Sequence, residues 1–107
     1  MKDENFHLFF GMFANRLRAG ILVTLMEKPM PVTELAAELD AERSRVSHAL
    51  LAMQRCHVVE SEKKGKQRLY SLNKDTVKPL LRLVDRHAEK YCKYCWEKKQ
   101  KELDKRG

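Results

Sequence analysis

The chain has 107 residues, 43% hydrophobic and 35% charged, with a net charge of +7. That length suits one domain with its own core, and no apolar run approaches the roughly 20 residues of a membrane helix. Three cysteines, Cys56, Cys92 and Cys95, are too few and too unevenly spaced for a disulfide framework, and the acidic start MKDENFHLFF has the wrong polarity for a secretory signal, so a cytoplasmic protein with reduced thiols and no membrane partner is expected.

The charge is unevenly placed. Residues 1–42 carry four Lys/Arg against seven Asp/Glu, and residues 43–107 carry eighteen against eight. A polyanionic partner engaged by the second part, with a salt-sensitive attraction, is expected. A basic surface kept for solubility is the plainer alternative. It ranks lower because the excess begins where a helix and hairpin able to use it begin.

A first helix is predicted from Asp3 to Asn15. Its Phe6, Phe9, Phe10 and Phe13 fall at i, i+3, i+4 and i+7, a one-sided aromatic stripe holding every phenylalanine of the chain. A small domain has limited core to offer, so part of this stripe is read as a subunit interface; closure of the monomer on itself is the alternative. A second helix, Arg16 to Lys28, stops at Pro29, and Lys28-Pro29-Met30-Pro31 is a stiff extended connector. Thr33 is read as the N-cap of a short third helix ending at Leu39, with Glu34 in its first turn. Asp40 can adopt the left-handed conformation that the next turn requires.

The fourth helix, Arg43 to Arg55, has two faces. Val46, Leu50 and Met53 form an apolar stripe, while Ser44, Ser47, His48, Gln54 and Arg55 lie mostly opposite, as short polar or cationic groups suited to base edges and phosphates. Cys56-His57 closes it, with His57 read as a left-handed turn residue. Val58 to Glu62 and Gln67 to Leu72 read as two strands joined through Lys63-Lys64-Gly65-Lys66. Helix, turn, helix and basic-tipped hairpin together give a mainly α winged helix-turn-helix (α-α-α-α-β-β-α). A last helix is predicted from about Lys74 to Lys101, capped by Asn73 or Asp75, with Pro79 pointing to a true start near Thr76 or a distorted first turn. Its Val77, Leu80, Leu81, Val84, Ala88, Tyr91 and Cys95 recur at helical spacing and suit lengthwise packing on a partner.

Several pieces in order resemble the ArsR/SmtB family of small winged-helix repressors. They are Asn15-Arg16-Leu17-Arg18 with Ile21-Leu22, Thr33-Glu34-Leu35-Ala36, Ser44 through Leu50 (SRVSHAL), Val58-Val59, and Gly65-Lys66 through Leu69-Tyr70-Ser71-Leu72, spanning about residues 8 to 90. The resemblance implies a homodimer built from the first and last helices, here Phe6, Phe9, Phe10, Phe13, Val77, Leu81, Val84, Ala88 and Tyr91. It implies double-stranded operator DNA, with the fourth helix in the major groove and the hairpin as a wing near the minor groove or backbone. Departures are Ala49 where histidine is usual, Leu51 where a polar or basic residue is common, and His57 in place of a turn glycine. The family's cysteine box near the third helix is absent from Pro31-Val32-Thr33-Glu34. Asp85-Arg86-His87 matches half of an inter-subunit metal motif whose other half falls on Lys98 and Lys101, which cannot ligate when protonated.

Cys92 and Cys95 share a helix face with His87 two turns back, and a C-x-x-C pair can ligate zinc or another soft metal or act as a redox couple. Two thiolates leave a tetrahedral site incomplete unless a dimer partner or Cys56 supplies the rest. The alternative is that these cysteines are small apolar groups in the dimer seam among Tyr91, Tyr94 and Trp96. No cofactor is required by this reading, and no catalytic constellation or phosphate loop is visible.

The expected function is a homodimeric, sequence-specific transcriptional repressor, not an enzyme. Ser44, Ser47 and His48 are assigned to base edges, Arg43, Arg45, Gln54 and Arg55 to phosphates or flanking bases, and Lys63, Lys64, Lys66 and Arg68 to the wing. The alternative is a winged-helix interaction module in a larger nucleic-acid assembly. A thiol-redox or metal response through Cys92, Cys95, Cys56 and His87 is a further option laid over the first.

Overall fold

The computed structural model describes residues 3–92 of the chain. Helices α1 (Asp3–Phe13), α2 (Arg16–Glu27), α3 (Val32–Leu39) and α4 (Arg43–Arg55) precede an antiparallel hairpin, β1 (Val59–Lys64) and β2 (Gln67–Leu72), and then α5 (Val77–His87). A five-residue π-helical turn, Ala88–Cys92, follows α5. The order is the predicted winged helix-turn-helix order. The chain divides into two compact units between Asn73 and Lys74.

The first unit is held by an apolar core to which α2, α3, α4 and the hairpin all contribute. Ile21, Leu22 and Leu25 come from α2, Leu35 and Ala36 from α3, Val46, Ala49, Leu50 and Met53 from α4, and Val58, Val59 and Leu72 from the base of the hairpin. The 3–4 spacing on the helices puts these residues on single faces. The extended connector adds Met30, which is buried and exchanges two backbone hydrogen bonds with Tyr70 (3.0 and 2.9 Å), an isolated bridge on the edge of β2. The prolines on either side hold that segment extended.

Element starts depart from expectation in specific ways. Asn15 is the N-cap of α2: its Oδ1 accepts from the backbone N–H of Leu17 (2.9 Å) and Arg18 (3.2 Å). Helix α3 begins at Val32, with Pro31 and not Thr33 in the cap position and no side-chain cap bond. An extended proline (φ −76, ψ 164) enters a helix without a donor of its own to satisfy. Neither Asn73 nor Asp75 is the cap residue of α5; Thr76 is. Pro79 then falls at the third helical position, among the first-turn donors that have no intrahelical acceptor, so α5 runs on from it. The helical geometry widens to a π turn at Ala88, and the part of the predicted helix from residue 93 to Lys101 lies outside the described residues.

Both helices of the helix-turn-helix end the same way. Asp40 (φ 49) and His57 (φ 58) are left-handed, as read from the sequence. The N–H of Ala41 reaches the Ala36 carbonyl (3.0 Å) and that of Val58 reaches Met53 (2.9 Å), while Asp40 and His57 donate to Ala37 and Gln54. This is the Schellman pattern, and buried Val58 and Met53 supply its apolar contact.

Candidate nucleic-acid interface

Burial of Val46, Ala49, Leu50 and Met53 fixes which side of α4 faces out. Ser44, Ser47, His48, Leu51 and Arg55 are exposed in one stripe, with Arg43 and Arg45 exposed at its start. Serine hydroxyls, an imidazole and guanidinium groups can donate to acceptors on base edges and phosphates. Leu51 differs from its neighbours: it is 48% exposed, an apolar side chain among polar ones.

The hairpin register sorts the wing residues by face. Cα partners run Val59–Leu72, Ser61–Tyr70 and Lys63–Arg68 on one face, and Glu60–Ser71, Glu62–Leu69 and Lys64–Gln67 on the other. Lys63 and Lys64, expected in the connection, belong to β1, so the turn is only Gly65-Lys66. A two-residue hairpin turn demands a positive φ that glycine adopts without strain, and Gly65 has φ 64. Lys63 and Arg68 thus share the face whose base is the buried pair Val59 and Leu72. Lys64 points the other way, and Lys66 sits in the turn.

On that inner face Ser61 is half-buried, and its Oγ accepts two hydrogen bonds. One comes from Gln54 Nε2 at 3.0 Å and the other from Arg68 Nη1 at 3.0 Å. Gln54, read from sequence as a DNA-facing group, is half-buried and directs its amide to the hairpin. Ser61 was not singled out by sequence reasoning. The available signal was its period-two position after buried Val59, which places a small polar residue where a strand turns inward.

Arg18 is a second residue that the sequence reading left without a role. An open cleft of ≈ 420 Å³ between the starts of α2 and α4 is lined by Arg18 together with Asn15, Ser44, Arg45 and His48. The signal for its placement was Asn15 just before an apolar-periodic run, a helix-start pattern that fixes where Arg18 emerges.

The expected interface residues divide between the two units. In α1 no residue is buried; Phe6 and Phe10 are exposed, and Phe9 and Phe13 half-exposed. Their rings pack along the helix, Phe9 against Phe13 at 4.8 Å and Phe6 against Phe10 at 6.2 Å between centroids. In the second unit Val77 is buried, Leu81 and Ala88 are half-exposed, and Val84 and Tyr91 are exposed. Tyr91 packs on His87 at 5.2 Å, with Lys90 Nζ over its ring. Cys56 and Cys92 are exposed free thiols. Cys56 lines a small cleft with Leu8, Phe9 and Met12 of α1. Among the described residues no three His, Cys, Asp or Glu side chains are gathered as metal ligands, and Cys95 lies outside them. No single described helix is long and apolar enough to cross a membrane.

Comparison with known proteins agrees with this geometry. The profile of the bacterial regulatory protein, arsR family, matches residues 15–61, from the cap of α2 into β1. The HTH-type transcriptional regulator NmtR of Mycobacterium tuberculosis is 36% identical over 72 residues, 67% of this chain and 60% of NmtR. The solution structure of apo-NmtR matches with a TM-score of 0.70 at 31% identity, over 80% of this chain and 72% of that one. The cadmium sensor CmtR of M. tuberculosis matches with a TM-score of 0.60 at 30% identity, over 68% and 76% of the two chains. The homodimeric winged helix-turn-helix DNA-binding domain of Mb0332 from Mycobacterium bovis shares the fold, with a TM-score of 0.74 at 22% identity over 88% of this chain and 93% of that one.

Proposed function

The chain belongs to the arsR family of bacterial regulatory proteins, and from that premise we propose that it is a sequence-specific transcriptional repressor that binds double-stranded DNA as a homodimer in the cytoplasm. The observation that carries this reading is the outward stripe of α4, Ser44, Ser47, His48, Leu51 and Arg55, set beside a hairpin tipped with Lys63, Lys64, Lys66 and Arg68. A helix of this width fits the major groove. Its N-terminal residues Ser44, Ser47 and His48 meet base edges, and Arg43, Arg45 and Arg55 meet the phosphates alongside. Leu51 offers an apolar contact, which in the major groove has one natural counterpart, the thymine methyl group.

A homodimer supplies two such helices, so the DNA site is an inverted repeat with half-sites about one helical turn apart. Selection of bound sequences from random duplex DNA tests this. The expected result is an inverted repeat bound with a steep salt dependence. Sequences without symmetry, or no enrichment, would overturn it. The likeness to a cadmium sensor supports a soft-metal signal acting through Cys92 with Cys95. The selected duplex tests that as well, since added cadmium or zinc should then weaken its binding, and Cys92→Ser should abolish the response.

A further inference from the structure

We propose that Ser61 is the positioning residue that joins the hairpin to the recognition helix and aims Arg68 at a DNA phosphate lying between them; this deepens the DNA-binding reading and rests on it. A serine hydroxyl has two acceptor lone pairs and one proton. Here both lone pairs are used, by Gln54 from the last turn of α4 and by Arg68 from β2. One small side chain on β1 therefore connects three elements. The apolar pair Val59 and Leu72 holds the base of the hairpin, while β1 is exposed from Glu62 on. The Ser61 hydroxyl is the polar contact that ties the middle of the hairpin to α4.

The register makes the consequence for Arg68 specific. Its direct cross-strand partner is Lys63, a like charge, and directly opposed like charges repel. Ser61 is the diagonal neighbour, two residues back along β1. By bonding there, Arg68 turns its guanidinium away from the Lys63 ammonium and toward the helix. One N–H of its five is committed, and the exposed side chain keeps the others for a ligand. Held toward the helix, Arg68 offers its uncommitted N–H groups to a phosphate between the hairpin and α4 at a lower ordering cost than a mobile side chain does. Lys64, on the opposite face, is an exposed point charge.

The test is a double-mutant cycle on duplex affinity, measured over a range of salt concentrations with the intact chain and a duplex recovered by selection. Arg68→Ala, which removes one phosphate contact from each copy of the homodimer, should weaken binding at least tenfold and flatten the salt slope by roughly 1.8. Ser61→Ala should weaken binding by about threefold to tenfold in the wild-type background and less than about twofold when Arg68 is already alanine. Ser61→Thr keeps the acceptor and should bind within about twofold of wild type. Ser61→Val removes the acceptor while favouring the strand, so it separates loss of the hydroxyl from loss of β1. Equal effects of Ser61→Ala in both backgrounds overturn the proposal, as does Ser61→Val binding with unchanged affinity and slope. In either case a wild-type chain that binds an inverted repeat leaves the DNA-binding reading standing. A wild-type chain that binds no duplex at all removes both.

Discussion

His57 and Asp40 stand at φ 58 and 49, where the Cβ of an L-residue crowds its own carbonyl at a cost of about 1–2 kcal/mol. Each is tolerated because the Schellman bonds around it satisfy the carbonyls at a helix end. The turn at His57 is further tied down by Asn73, whose Nδ2 donates to the His57 carbonyl at 2.8 Å across 16 residues of sequence. Replacing His57 with glycine should relieve the strain and stabilise the chain by about 0.5–1 kcal/mol, less than the full strain because glycine leaves more entropy in the unfolded chain. Denaturant unfolding measures this, and no gain would mean that contacts of the His57 ring offset the strain. The left-handed conformation was legible in the sequence, since a short segment between a helix and a strand needs it and histidine and aspartate tolerate it. The role of Asn73 was not. Its neighbours suggested a helix cap, while its bonding partner is beside it at the open end of the hairpin but 16 residues back in the chain.

At the scale of elements, the spacing along α4 gave its apolar stripe of Val46, Leu50 and Met53, to which the structure adds Ala49, while Gln54 turns from the polar side to the hairpin. Four buried positions point one way and the polar stripe points the other. Within that stripe Leu51 is the exception, and an exposed leucine by itself needs no explanation. On a recognition surface it has a specific consequence. Leu51→Ala should weaken binding to the selected duplex by about fifteenfold, the worth of one methyl-sized contact in each of the two half-sites. Replacing thymine by uracil at one base pair per half-site should cost wild type about the same and cost Leu51→Ala nothing. Equal uracil sensitivity in both proteins would remove Leu51 from base reading. The hairpin shows where spacing stops informing. Alternation assigned its strands, but only the register put Lys63 and Arg68 on one face and Lys64 on the other.

For the whole molecule, large apolar side chains remain in solvent at both ends of the described chain. Phe10 is 57% exposed in α1, and Leu83 and Val84 are 54% and 52% exposed in α5. Large exposed apolar groups on a helix mark association surfaces more often than accidents, and a twofold interface buries each of them twice. A negative charge at Phe10 therefore acts in both copies. Phe10→Asp should shift the monomer–dimer equilibrium on the order of a hundredfold or more toward monomer, read by light scattering across a dilution series. Circular dichroism should be unchanged, because no residue of α1 is buried in its own chain. A Phe10→Asp protein that remains as dimeric as wild type would place the interface elsewhere.

The amino-acid order alone determined the number and sequence of elements, the inward faces of α2, α3 and α4, the two left-handed turns and the resemblance to a regulator family. Each of these depends on near neighbours: a 3.6-residue period, an alternation, a proline or a turn residue within a few positions. Tertiary structure decided what depends on distant partners. Gln54 and Arg68 both read as surface cations or donors awaiting a phosphate, until folding brought them to one hydroxyl 7 residues from each. Thr33 read as a cap by residue type, but the bridge between Met30 and Tyr70 and the prolines around Met30 set where α3 begins. Side-chain hydrogen bonds carry no periodicity along the chain, so their pairing becomes definite only when the apolar core has set the distances between strands and helices.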